Sequence, residues 1–153
     1  MNRRTGKNHP YLRAYMAGIA VPTAFLLVAM TVFTLARFVF EVPVPIERVI
    51  VFPMALIPNL FGLWNMLYVG LRSRSRLSIG AHGALLPFVL IPLGLTLGTV
   101  LGVVRIDQDG VQALQAVRLP FSKGVFVLPV VVVVYYLVWK YIVGFLNDLV
   151  GIE

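Results

Sequence analysis

The sequence predicts an all-α integral membrane protein: a four-transmembrane-helix bundle with both termini on the cytoplasmic side and proline-kinked second and third helices. Three observations predict it. First, 59% of the 153 residues are hydrophobic and only 12% are charged, about half the charged share usual in soluble domains. Second, the apolar residues fall in four long blocks, without the periodic polar breaks of a soluble core. Third, lysines and arginines collect at the block ends. Four crossings take up most of the length, so residues 1–153 read as a single membrane domain.

The first block, Ala14 to Ala36, carries no charge and is bounded by Arg13 and Arg37. It suits the roughly 20 residues a crossing needs. It is also longer than the apolar core of a secretory signal, about 7–15 residues, so it reads as an uncleaved anchor. Arg3-Arg4 lacks the apolar pair of a twin-arginine signal. After Glu41-Val42-Pro43-Val44-Pro45, whose prolines disfavour helix, the second block runs from Val49 to Leu71. Arg72, Arg74 and Arg76 close it, and the third block, Gly83 to Val104, follows as the return arm of a tight hairpin. Arg105 to Lys123 is the longest polar connection, and Val111 to Val117 within it is expected as a short interfacial helix. The fourth block runs from Gly124 to Phe145, with Lys140 near its end able to snorkel.

Orientation follows from retention of cations on the cytoplasmic side. Eight Lys and Arg residues flank the termini and second loop, against five in the first and third loops. Tyr11, Tyr15, Tyr68, Trp139 and Tyr141 gather near the first of these faces, as an interfacial aromatic belt would. The expected location is therefore a bacterial inner (cytoplasmic) membrane.

Composition excludes several function classes. The absence of cysteine removes disulfides, thiolate nucleophiles and cysteine-ligated metals. The net charge of +7 lies beside the apolar blocks, which points to anionic lipid headgroups rather than nucleic acid. His9 and His82 have no neighbouring acid of suitable spacing, so no metal site is expected. In Asp107-x-Asp109-Gly110 the glycine comes too early for a calcium loop, and Arg118 stands where the closing glutamate would be. No Ser, His and carboxylate converge, so the chain reads as non-enzymatic, with no cofactor.

Four features remain. Gly94, Gly98 and Gly102 at four-residue spacing would line one groove of the third helix and admit a second helix, from this chain, another copy or another subunit. Asn59 and Asn65 lie deep in the second block, with Gly62 three residues from each. An amide in hydrocarbon needs a partner, so they serve either as interhelical glue or as a polar site for a ligand. Prolines 22, 53, 58, 87, 92 and 129 fall within the blocks, and those at 58 and 92 free the carbonyls of Met54 and Phe88. Pro53 to Pro58 resembles Pro87 to Pro92 at four of six positions, which abundant Leu, Ile and Pro explain without an inverted repeat. Arg72, Arg74 and Arg76, with His82 nearby, are candidate anionic-lipid contacts.

The expected function is therefore a self-associating or accessory subunit of a membrane assembly. The alternatives are a small oligomeric transporter or channel, with its site on the second and third helices, and an anionic-lipid-binding protein.

Overall fold

The computed structural model describes residues 9–41, 52–113 and 117–152. Arg3, Arg4, Lys7, Glu47, Arg48, the prolines at 43 and 45 and the first residues of the expected second span lie outside the described residues. So do residues 114–116 of the expected interfacial helix.

The fold is mostly helical. Helix α1 (Pro10–Phe38) opens with proline in its first turn, where the missing N–H costs no hydrogen bond. It is followed by α2 (Phe52–Leu71), a short α3 (Ile79–Ala84) and α4 (Pro87–Val100). After a three-stranded sheet comes α5 (Phe121–Leu137), which passes through a π-helical turn (Val138–Val143) into α6 (Gly144–Leu149). Among the described residues three helical stretches are long and apolar enough to cross a membrane: Pro10–Phe38, Ile79–Val100 and Phe121–Leu149. Leu56–Leu71 is a shorter apolar helix. Phe25, Phe38, Phe126 and Val100 are each more than 70% exposed, and apolar surface on that scale is compatible with a lipid-facing wall. The hydroxyls of Thr23, Thr31, Thr96 and Thr99 donate to carbonyls four residues back, so they need no water.

Two antiparallel helix pairs form the body, each set by glycine. In the first, a Cβ on Gly18 would lie 2.6 Å from the Phe61 carbonyl oxygen and one on Gly62 2.5 Å from the Tyr15 ring. The backbones of α1 and α2 meet at this point. In the second, Gly80 faces Tyr136 and Gly83 faces Trp139, where a Cβ would fall 1.9 Å from Cγ of the indole. Phe61, Leu86, Trp139 and Val143 form the buried centre joining the pairs, with Ile57, Trp64 and Leu90 packed around it.

The third span differs from the continuous helix expected over Gly83 to Val104. Helix α3 ends at Ala84 and α4 starts at Pro87: Leu85 and Leu86 keep helical dihedrals but bond to the carbonyls three residues back, and Pro87 has no N–H to donate to the previous turn. Helix α4 stops at Val100, and Gly102 has a φ of +69°, the left-handed conformation that ends a helix. By contrast α2 runs unbroken through Pro58.

The all-α expectation is corrected by the connection that follows. Strands β1 (Val104–Asp107), β2 (Gly110–Ala113) and β3 (Val117–Pro120) form an antiparallel sheet in the order β1-β2-β3. The expected helix at Val111 to Val117 is therefore strand in its described parts. Asp107 pairs with Gly110 across the two-residue turn Gln108-Asp109, and Val111 pairs with Leu119. Alternation of Val104 and Ile106 with Arg105 and Asp107, closed by Asp109-Gly110, is a hairpin signal with a period of two. A Cβ on Gly110 would lie 2.4 Å from the Leu119 carbonyl oxygen, so only glycine allows β3 this close. The Arg118–Asp109 ion pair, 3.3 Å long and exposed, adds little to stability.

These contacts predict a contrast between glycines. Gly83→Ala should destabilise the fold by about 1–3 kcal/mol through overpacking against Trp139. Gly94→Ala, where nothing lies within 4 Å, should be neutral or stabilising by up to about 1 kcal/mol. Thermal unfolding of the two variants in detergent micelles checks the contrast.

Candidate functional site

The buried polar groups concentrate where the start of α1, the end of α2 and α6 meet. The Asn65 amide nitrogen donates to the Ala14 carbonyl at 2.8 Å and to Asn147 Oδ1 at 2.7 Å. The Asn147 amide nitrogen returns a bond to Asn65 Oδ1 at 3.1 Å. Both amides are at least 96% buried, so this reciprocal pair ties three helices with bonds that water does not contest. Beside it, Arg13 donates to the Val150 carbonyl at 3.3 Å.

Asn59 accepts a hydrogen bond from the Tyr15 hydroxyl, and Gly62 lies against the same tyrosine ring. The two amides flanking Gly62 thus have separate partners on α1 and α6. The expected polar focus between the second and third spans is displaced to a junction of the first, second and fourth. Asn147 is the partner that sequence reasoning missed, because it follows the fourth apolar block and reads as part of a polar tail.

The glycine row behaves differently from the groove expected of it. Gly94 faces open space, Gly98 is covered by the Val104 side chain of β1, and Gly102 lies beyond the helix. The close helix contacts belong instead to Gly18, Gly62, Gly80 and Gly83.

His82 is buried, not part of the surface cations. Its Nε2 lies 3.1 Å from the Trp64 carbonyl, while Trp64 Nε1 donates to the His82 carbonyl at 3.0 Å. The imidazole stacks on Trp64 with centroids 5.0 Å apart and meets Tyr68 at 5.4 Å and Trp139 at 6.1 Å. Phe61 continues this aromatic column toward Tyr135. Trp139, expected in an interfacial belt, is fully buried at its centre, and its Nε1 has no hydrogen-bond partner among the described residues. Tyr11 and Tyr141 are exposed as a belt requires.

Next to the amide junction lies a cavity of about 400 Å³, within the about 300–1,000 Å³ range of small-molecule sites. Its polar wall is Tyr68 from the end of α2 and Arg72 in the turn just after it, Lys140 and Tyr141 from the π turn, and Asn147 and Asp148 from α6. Ile79, Phe145 and Ile152 supply apolar surface. The Lys140 ammonium sits over the rings of Tyr136 and Tyr141, 5.7 and 5.2 Å from their centroids. Arg72, Lys140 and Asp148 have no ion-pair partner among the described residues. All three candidate arginines are exposed in the connection that follows α2, and of them Arg72 lines this cavity.

The π turn helps to build this wall. Trp139, Val143 and Asn147 are all buried at intervals of four, a spacing at which a plain α-helix would drift round its axis. The wider π turn takes up part of that drift, so one helix serves both the aromatic column and the amide junction.

No protein-family model, curated protein or solved structure matches this chain.

A double-mutant cycle tests the junction. Asn65→Leu and Asn147→Leu should each destabilise by about 1–2 kcal/mol, each stranding a buried amide. The double variant should lose clearly less than their sum, because the second change removes a group already unpartnered. Additive losses in detergent unfolding would show that the two amides are not coupled.

Proposed function

We propose that this chain is a small non-enzymatic membrane protein that holds the phosphate of a lipid headgroup in the cavity between Arg72 and Lys140. The observation that carries this reading is that both cations line one chamber without an ion-pair partner among the described residues. Guanidinium and ammonium groups are the usual partners of phosphate oxygens. The tyrosines and apolar residues of the same wall suit a boundary between headgroup and acyl chain. The transporter alternative has less support, since Asn59 and Asn65, its expected polar path, bond within the fold.

The accompanying topology is four crossings with both termini and the cavity on the cytoplasmic face of a cytoplasmic membrane. Helix α2, 20 residues long, extends roughly 30 Å, about the thickness of the hydrocarbon core. The arginines at 13, 72, 74 and 76 lie at the cavity end and favour retention inside.

A second reading, association with another copy or with a larger assembly, draws on the open face of α4. Pro87 is the one buried residue of that helix, and the space beside Gly94 is free. Gly94→Cys should then give disulfide-linked dimers in native membranes, and a purely monomeric product would end this reading.

Native mass spectrometry of the full chain in mild detergent tests the principal reading. The wild-type protein should retain phospholipid, and the Arg72→Ala/Lys140→Ala variant should lose it while still folding. Equal retention by both proteins would refute the assignment. Because the chain has no cysteine, single-cysteine labelling checks the topology directly. A membrane-impermeant maleimide added outside intact cells should label Gln108→Cys and spare Ser75→Cys.

A further inference from the structure

We infer that the ligand of this cavity is zwitterionic, a phosphoethanolamine headgroup whose phosphate meets Arg72 and Lys140 and whose primary ammonium meets Asp148. This rests on the headgroup reading above and adds the second half of the ligand. Two cations alone would suit any phosphate, but the Asp148 carboxylate lines the same chamber and has no cationic partner among the described residues. A headgroup with phosphate and no cation would leave that carboxylate unpaired beside another anion, which electrostatics opposes. A headgroup carrying both charges pairs all three side chains.

The rings separate an ethanolamine from a choline. A quaternary ammonium is recognised chiefly by the faces of aromatic rings. Here Lys140 lies over Tyr141, so a face that choline would need is taken by the protein's own cation. A primary ammonium carries N–H donors and forms charge-assisted hydrogen bonds with a carboxylate, which choline cannot. Asn147 spends its amide nitrogen on Asn65, and Asp148 is the one carboxylate on the wall among the described residues. Phe145 and Ile152 offer apolar surface for the start of the acyl chains.

The test is a titration of the purified full chain in mild detergent with dioleoyl phosphatidylethanolamine, phosphatidylglycerol and phosphatidylcholine, reading bound fractions by native mass spectrometry. Phosphatidylethanolamine should bind tightest. Asp148→Asn should weaken it about tenfold while leaving phosphatidylglycerol unchanged or tighter, and Arg74→Ala should alter neither. If phosphatidylglycerol or phosphatidylcholine binds the wild-type protein as well as phosphatidylethanolamine does, the phosphoethanolamine assignment falls and the headgroup reading stands. If no phospholipid is retained, both fall. The wild-type preference decides the matter even if Asp148→Asn does not fold. Soluble glycerophosphoethanolamine is the remaining arm: displacement of the lipid at equal concentration would place the ligand in water and overturn the lipid source.

Discussion

The reciprocal amide pair of Asn65 and Asn147 sets the geometry on which the cavity end of the molecule depends. A primary amide buried in an apolar bundle must find both a donor and an acceptor, and each of these asparagines satisfies the other. The extra bond from Asn65 to the Ala14 carbonyl brings in the first helix. Chain segments more than fifty residues apart are thereby held at one height, and the ends of α2 and α6 are brought close enough to share the walls of one chamber. Arg72 and Asp148 each stand within a short distance along the chain from an amide of this pair. Their placement is a consequence of the junction.

The rest of the bundle is held by shape. Between apolar helices in lipid there is little hydrophobic drive, so contact area and close approach decide which faces meet. Glycine provides the approach in both helix pairs, but with different partners. Gly18 lets two backbones touch, while Gly83 receives the largest side chain of the core, Trp139. The π turn that carries Trp139 then matches the spacing of the aromatic column to that of the amide junction. Neither feature is polar, yet both bear on the polar chamber, because Lys140 and Tyr141 lie on the same turn.

The parts of this architecture that were legible in the sequence are those with local causes. Long charge-free blocks announce helices, and Asn65 announces a need for partners. Other parts needed information that no local window holds. The Gly94, Gly98 and Gly102 row has the right period for packing, but a helix end at Val100 and the return of Val104 over Gly98 dissolve it. The hairpin at Asp107 to Gly110 has a period-two alternation, but it is short and lies between apolar blocks of helical length. Trp139 has the composition of an interfacial anchor and the environment of a core residue, a distinction made by the facing Gly83 and by the Phe61, Leu86 and His82 side chains around it.

The sequence by itself determined that the chain is a helical protein with apolar walls, because hydropathy is a sum over neighbours and neighbours are given. It also determined that Asn59 and Asn65 must find a partner, in another helix or in a ligand, since the cost of a lone amide in hydrocarbon does not depend on the fold. Only the tertiary structure decided who satisfies them. Asn147 lies 82 positions away, and nothing in its own surroundings marks it as a partner. The same holds for the cavity: Arg72, Lys140 and Asp148 look like ordinary flank residues along the chain, and they become a set only when three helix ends converge. Pairing between distant residues is fixed by packing geometry, and a linear sequence states that geometry only after it has folded.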